Sequence, residues 1–263
     1  MADGNCKLCL LDKPLVDSHL MPRALYDLCR PPDGSPIIMS NDVVMASDRQ
    51  LKYPLLCAGC EDLLNKNGEN WLLPQLARID GAFRLYDVLQ EIPAEITDGD
   101  TRVYAAGRNP KIEVSTIIHF AMGIFWKAAA HSWKKDTKEP WTDLGSYRDA
   151  AREYLLGISP FSTNMVLTVG INPPPVKMIG FNYPYRDSET GHHRFRFYVP
   201  GILFVLQVGK NIPTELKSSC FVANPVHPVL VLDLYESLRD VARHETRRAR
   251  VAKNVRKYLK PRT

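Results

Sequence analysis

Residues 115–133 are apolar on nearly every side of a helix, a pattern that predicts a helix buried at the centre of the core. A shorter helix is expected after Ser146, with Asp149 three residues on as its capping partner and Gly157 placed to end it. Elsewhere the period shortens to two. Residues 165–171, 176–183 and 202–208 read as strands, the first two separated by Pro173-Pro174-Pro175. The polar run 187–191 between residues 181–185 and 194–199 predicts a hairpin, in which Phe195 and Phe197 face the core and Arg194 and Arg196 face away. Nearer the start, Pro22 suits a first helical position, so residues 23–29 are expected to coil until Pro31-Pro32 stops them. Residues 37–39 and 43–46 look like short strands. Residues 61–66 suggest a helix that Asn67-Gly68 interrupts. From about Val231 a long helix is expected to run into the last residues, with Val251, Val255 and Leu259 four apart on one stripe. Together these elements predict an α+β fold.

The cysteines sharpen that picture. Cys6-Lys7-Leu8-Cys9 and Cys57-Ala58-Gly59-Cys60 are two Cys-x-x-Cys knuckles, and four such thiolates form a closed tetrahedral set suited to structural zinc. The gap between them exceeds that of a simple zinc ribbon, so an extra element must be looped out. Cys29 and Cys220 read as small buried hydrophobes. Between the knuckles lies Asp17-Ser18-His19-Leu20-Met21-Pro22, which places a histidine beside the metal module.

Charge is unevenly spread. Ten Lys/Arg and two acids lie from Arg239 onward, so that stretch carries +8 and the rest −3 of a net +5. Arg243, Arg247, Arg248, Arg250, Lys253, Arg256, Lys257, Lys260 and Arg262 are dense enough to suggest nucleic acid, bound through its phosphates, with an acidic membrane surface as the alternative. The most apolar stretch, residues 117–126, falls short of the roughly 20 apolar residues of a membrane span. With no secretory signal at the start, the expected compartment is the cytoplasm, where paired cysteines bind metal rather than form structural disulfides.

The order Cys-x-x-Cys, polar-His, Pro, Leu-Cys-x-x-Cys-polar resembles zinc-containing HNH endonucleases of the ββα-metal, or treble-clef, fold. It also resembles a set of little-characterised bacterial proteins with a Ser-His-hydrophobic-hydrophobic-Pro segment and a Cys-x-x-Cys-Glu knuckle. The HNH similarity covers residues 6–66. The bacterial one extends through Phe125-Trp126 and Leu144-Gly145 to Tyr154-Leu155-Leu156-Gly157. The resemblance implies an HNH-like zinc module at 1–78, a mixed helix and antiparallel-sheet body at 79–230, and a basic helix at 231–263. It assigns Cys6, Cys9, Cys57 and Cys60 to structural zinc and His19 to the general base. Glu61, Ser18 and Asn65 fall at the positions that bind a catalytic Mg²⁺ or Mn²⁺. Ser18 departs from the Asp or His of the pattern, and its middle Asn is missing from Lys52-Tyr53-Pro54.

The implied activity is metal-dependent cleavage of DNA, with RNA as the other substrate, in a bacterial or phage context such as defence against foreign DNA. The alternative is a non-catalytic zinc module that binds nucleic acid or protein with a degenerate metal site. In that case His19 is a structural histidine and Glu61 merely complements the helix dipole. The body, 79–230, carries no catalytic or phosphate-binding motif, which leaves room for a homo-oligomer or a regulatory partner.

Overall fold

A computed structural model describes residues 2–31, 34–39, 43–133, 142–187, 193–247 and 249–255. The chain begins with a hairpin of β1 (Ala2–Asn5) and β2 (Asp12–His19), whose connection is the first cysteine knuckle. The chain then leaves this sheet for α1 (Arg23–Leu28) and the strands β3 (Ile37–Met39) and β4 (Val43–Ala46), which pair antiparallel. It returns as β5 (Lys52–Cys57), antiparallel to the free edge of β2, with Ser18 opposite Tyr53 and His19 opposite Lys52. Residues 20–51 are therefore the looped-out element that the cysteine spacing requires. A register shift leaves Leu55 unopposed by β2, and its carbonyl instead accepts the Lys7 N–H of the first knuckle.

Cys57 ends β5 and α2 (Ala58–Leu64) starts on the next residue. The expected break at Asn67-Gly68 does not occur. The helix widens to π geometry over Asn65–Glu69 and continues as α3 (Asn70–Leu72). Gly68 is seated so close to a later helix that a Cβ there would stand 2.9 Å from the Phe120 Cα, so the glycine permits contact rather than a turn. After α4 (Arg84–Leu89) come β6 (Ile96–Asp98), β7 (Thr101–Ala105), α5 (Val114–Ala130), α6 (Tyr147–Leu155) and β8 (Met165–Ile171). The capping role foreseen for Ser146 is not used, for its side chain makes no cap bond, whereas Gly157 does take a positive φ (68°) beyond the helix.

The remaining elements are β9 (Tyr185–Asp187), β10 (His193–Val199), β11 (Ile202–Val208), α7 (Thr214–Ser219), β12 (Pro228–Val231), α8 (Tyr235–Thr246) and β13 (Arg250–Val251). Seven strands make one sheet in the order β6-β7-β12-β8-β11-β10-β9, antiparallel except between β12 and β8. The predicted hairpin forms, but its first arm is only β9. The expected strand at 176–183 is irregular, since three prolines precede it and Pro184 closes it, each without an N–H for a ladder.

The long basic helix also needs correction. Val231 belongs to β12, the helix starts at Tyr235 and stops at Thr246, and Arg250–Val251 pair parallel with Val43–Val44 of β4. The Thr246 hydroxyl donates back to the Ala242 carbonyl, a competition that weakens a helix end. Beyond it the chain finds better partners on the β4 edge, where Ala252 N–H bonds Val44 O and Asn254 bonds Ala46. Leu259 and Arg262, like every residue of 256–263, lie outside the described residues.

The helix α5 is the centre of the molecule, with Phe120 and Phe125 against Phe197 and Phe204 of the large sheet. Its other side receives α2, the π segment and α6. A single buried cluster runs from Cys6 to Val231, so the knuckles and the large sheet share one core. No helix among the described residues is long and apolar enough to cross a membrane.

Candidate metal centre and the His19–Glu61 site

The β1–β2 connection and the junction of β5 with α2 bring the two knuckles side by side. The Sγ atoms of Cys6, Cys9, Cys57 and Cys60 lie within 4.8 Å of one another, and Cys9 and Cys57 are 3.9 Å apart. A tetrahedron of thiolates about 2.3 Å from zinc has edges of roughly 3.8 Å, so the donor set fits that ion. The Cys57 backbone N–H donates to Cys6 Sγ at 3.3 Å, which favours sulfur carrying negative charge. Burial pushes the Cys6 thiol up, but the backbone N–H groups of Cys9, Cys57 and Leu8 outweigh it and bring the thiol down to about 7. Burial holds the Cys60 thiol far above its ordinary value, with neighbouring cysteine sulfurs adding to the effect. Four thiolates so close together need a cation between them. The four cysteines can hold a structural metal such as zinc, and Cys29, which burial pushes up to about 12, is not among them.

His19 is the last residue of β2. Burial lowers its pKa below the ordinary imidazole value, and a hydrogen bond with the Gln50 side chain partly opposes that. Strand alternation turns Asp17 outward, where it pairs with Lys52 at 2.6 Å, and turns Ser18 inward. Ser18 is fully buried, and its hydroxyl has no partner among the described residues. Glu61 stands in the first turn of α2, and its charge is felt by His19. One of its carboxylate oxygens, Oε2, is buried without a hydrogen-bond partner among the described residues. Asn65 opens the π segment one turn later and is half-buried.

Two further charged groups join this patch. Glu69, at the end of the π segment, pairs with Lys127 of α5 at 3.5 Å, and the lysine side chain is 2% exposed. Burial raises the Glu69 carboxyl, Lys127 opposes that rise, and Glu61 adds to it. Lys127 also bears on His19, so His19, Glu61, Glu69 and Lys127 share one electrostatic neighbourhood. His119, two turns before Lys127, lines a recess of about 10 Å³ with Glu69 and Lys127. One ring nitrogen is satisfied: Nε2 donates to the Leu155 carbonyl at 3.2 Å, whereas Nδ1 has no partner among the described residues. The sequence signal for Lys127 was a single charge inside an apolar helical run. Glu69 offered no signal until the π turn brought it round.

Of the basic residues, Arg243 is exposed and within 3.5 Å of Asp240. Arg247 after α8, Arg250 in β13 and Lys253 just beyond that strand are all exposed. Arg248, Arg256, Lys257 and Lys260 lie outside the described residues.

Fold and site together define a mixed α+β protein with a cluster of four cysteines at its N-terminal sheet that could hold a metal ion. Comparison of the chain with protein-family models, with curated proteins and with solved structures finds no match in any of the three.

Proposed function

We propose that the chain is a zinc-stabilised, HNH-like endonuclease that cleaves phosphodiester bonds in DNA. The observation that carries this reading is the convergence of His19, at the end of β2, and Glu61, in the first turn of α2, on one charged patch beside the cysteine cluster. The order of two antiparallel strands followed at once by a helix matches the ββα-metal arrangement, with residues 20–51 as an insertion.

In this reading His19 is neutral at physiological pH, because burial disfavours its cation, and so can take the proton of an attacking water. The Gln50 hydrogen bond holds the ring in place. Glu61 supplies a hard oxygen donor with one unpartnered atom, the right chemistry for Mg²⁺ or Mn²⁺, and Asn65 and Ser18 lie at the remaining positions of the pattern. Such an ion supplies charge neutralisation on the phosphate. Arg243, Arg247, Arg250 and Lys253 would neutralise backbone phosphates without reading sequence, so binding weakens steeply with salt.

The second reading, a zinc-stabilised binding module without catalysis, is favoured by Ser18. Its buried hydroxyl stands where the pattern has a stronger ligand. Cleavage of plasmid DNA and of RNA with Mg²⁺ or Mn²⁺ separates the two. Nuclease action predicts that His19→Ala and Glu61→Ala each lose about 100-fold or more in rate while keeping zinc and fold. A folded, zinc-loaded wild type that binds DNA and never cuts identifies the binding module.

A further inference from the structure

Tyr53, in β5, is 45% exposed, yet its ring is held in place. The His131 ring stacks on it with 3.8 Å between centroids and 19° between planes. His131 is the residue that ends α5, and it also meets Trp133, edge to face at 5.2 Å. Trp133 is buried, and its Nε1 donates at 2.9 Å to the carbonyl of Lys127 in the last turn of α5. The three rings form a ladder anchored in the core at Trp133 and open to solvent at Tyr53. With one face of Tyr53 against His131, its exposed area falls on the opposite face and the hydroxyl edge.

A lone apolar side chain at the surface is ordinary and implies nothing by itself. A ring already fixed by a second ring is different, because little of its freedom is left to lose when a ligand arrives.

The surroundings of the open face narrow the ligand. The Lys7 N–H donates to the Leu55 carbonyl at 3.1 Å, which seats this exposed lysine beside β5, two residues along from Tyr53. Burial lowers the His131 pKa and the Lys7 charge lowers it further, so the stacked imidazole is neutral and the lysine supplies the positive charge. The adjacent Lys52 is held by Asp17 at 2.6 Å. A flat π face beside a cation suits a ligand that is aromatic and anionic at once, as a nucleotide is. In a duplex the neighbouring pairs cover both faces of each base, so only an unpaired base can settle on the ring. Tyr53 stands opposite Ser18 and one ladder position from His19, so a base there lies beside the proposed site without occupying it.

We infer that Tyr53, backed by His131 and Trp133, is a stacking platform for an unpaired base of single-stranded DNA. The inference deepens the nuclease reading, on which the choice of DNA over other aromatic anions rests.

The test is binding of a short fluorescent oligothymidylate to the zinc-saturated full chain, read by anisotropy without added divalent ion so that no cleavage occurs. An abasic oligomer of the same length, which keeps the phosphates and lacks the bases, is the control. Tyr53→Ala weakens the oligothymidylate about tenfold and the abasic oligomer less than about twofold. Tyr53→Trp retains wild-type affinity, since a larger π face stacks at least as well. Should Tyr53→Ala fail to fold, Tyr53→Leu decides, because it keeps apolar bulk against His131 and removes the ring. Either variant, folded and binding oligothymidylate within about twofold of wild type, overturns the inference, as does equal weakening of both oligomers. A wild type that binds no oligothymidylate overturns it too. Stacking on Tyr53 by a chain that never cuts with Mg²⁺ or Mn²⁺ would sink the nuclease reading alone.

Discussion

His19 and His119 are both imidazoles whose pKa burial lowers, and they differ in what the lowering does. His119 is locked by its bond to Leu155, so its protonation matters for stability. Its folded pKa lies below the unfolded value of 6.5, so between those two values the unfolded chain binds more protons. Stability contributed by the neutral ring is therefore full above about pH 6.5 and falls as pH drops through that window. Urea melts of zinc-saturated protein from pH 7.5 to 5.5 should show a midpoint that falls more steeply in wild type than in His119→Gln. Parallel curves would show that His119 does not couple to folding. For His19 the same direction of shift bears on the proposed cleavage. The acid limb of kcat/KM should lie below 6.5, because the base keeps its lone pair to lower pH than a solvated histidine does. A limb above 6.5 would assign the proton transfer elsewhere.

At the level of elements, the helix from Ala58 to Leu72 carries two glycines with opposite roles. A Cβ at Gly59 meets nothing within 4 Å, so Gly59→Ala should stabilise by up to about 1 kcal/mol through helix propensity alone. A Cβ at Gly68 meets the backbone of Phe120, which cannot give way as a side-chain tip can, so Gly68→Ala should destabilise by about 1–3 kcal/mol. Thermal melts of both variants check the pair of signs. The same stretch shows where sequence is legible. The knuckles, α1, the strands β3 and β4, and α5 all follow from local pattern, because cysteine spacing, proline position and hydrophobic period act within a few residues. The π turn does not, since it depends on how closely Gly68 approaches α5. Glu69 and Lys127, 58 positions apart, join the site through that packing, and no local period reports it. The end of α8 was misjudged for a related reason: Val251 and Val255 keep a helical spacing, but Val251 lies in a strand on β4 and Val255 is buried beyond it.

For the whole molecule, the shared core decides how metal loss is felt. Structural zinc contributes about 10–16 kcal/mol in small zinc modules, comparable with the roughly 5–15 kcal/mol stability of an entire domain. Because one buried cluster joins Cys6 to the strands of the large sheet, that loss cannot stay within the knuckles. Chelation is expected to lower a single unfolding transition by about 10 °C or more rather than to split off an early melting step. Two separate transitions in scanning calorimetry of the chelated chain would show that the knuckles melt independently. Cobalt substitution should show the absorption of a tetrahedral four-thiolate centre, with Cys57→Ser reducing it.

Strand β13 has a consequence for how the chain is made. It completes the small sheet of the N-terminal insertion, and the Asn254 side chain bonds Ala46 across 208 positions of sequence. A ribosome releases β3 and β4 long before it releases their third strand. Throughout most of synthesis, therefore, β4 presents an open edge of unpaired N–H and C=O groups, the kind of surface that recruits stray strands. The insertion between the two cysteine knuckles is finished last, not first, and a chain cut short before Arg250 should be nicked by protease within residues 34–51 while its large sheet resists.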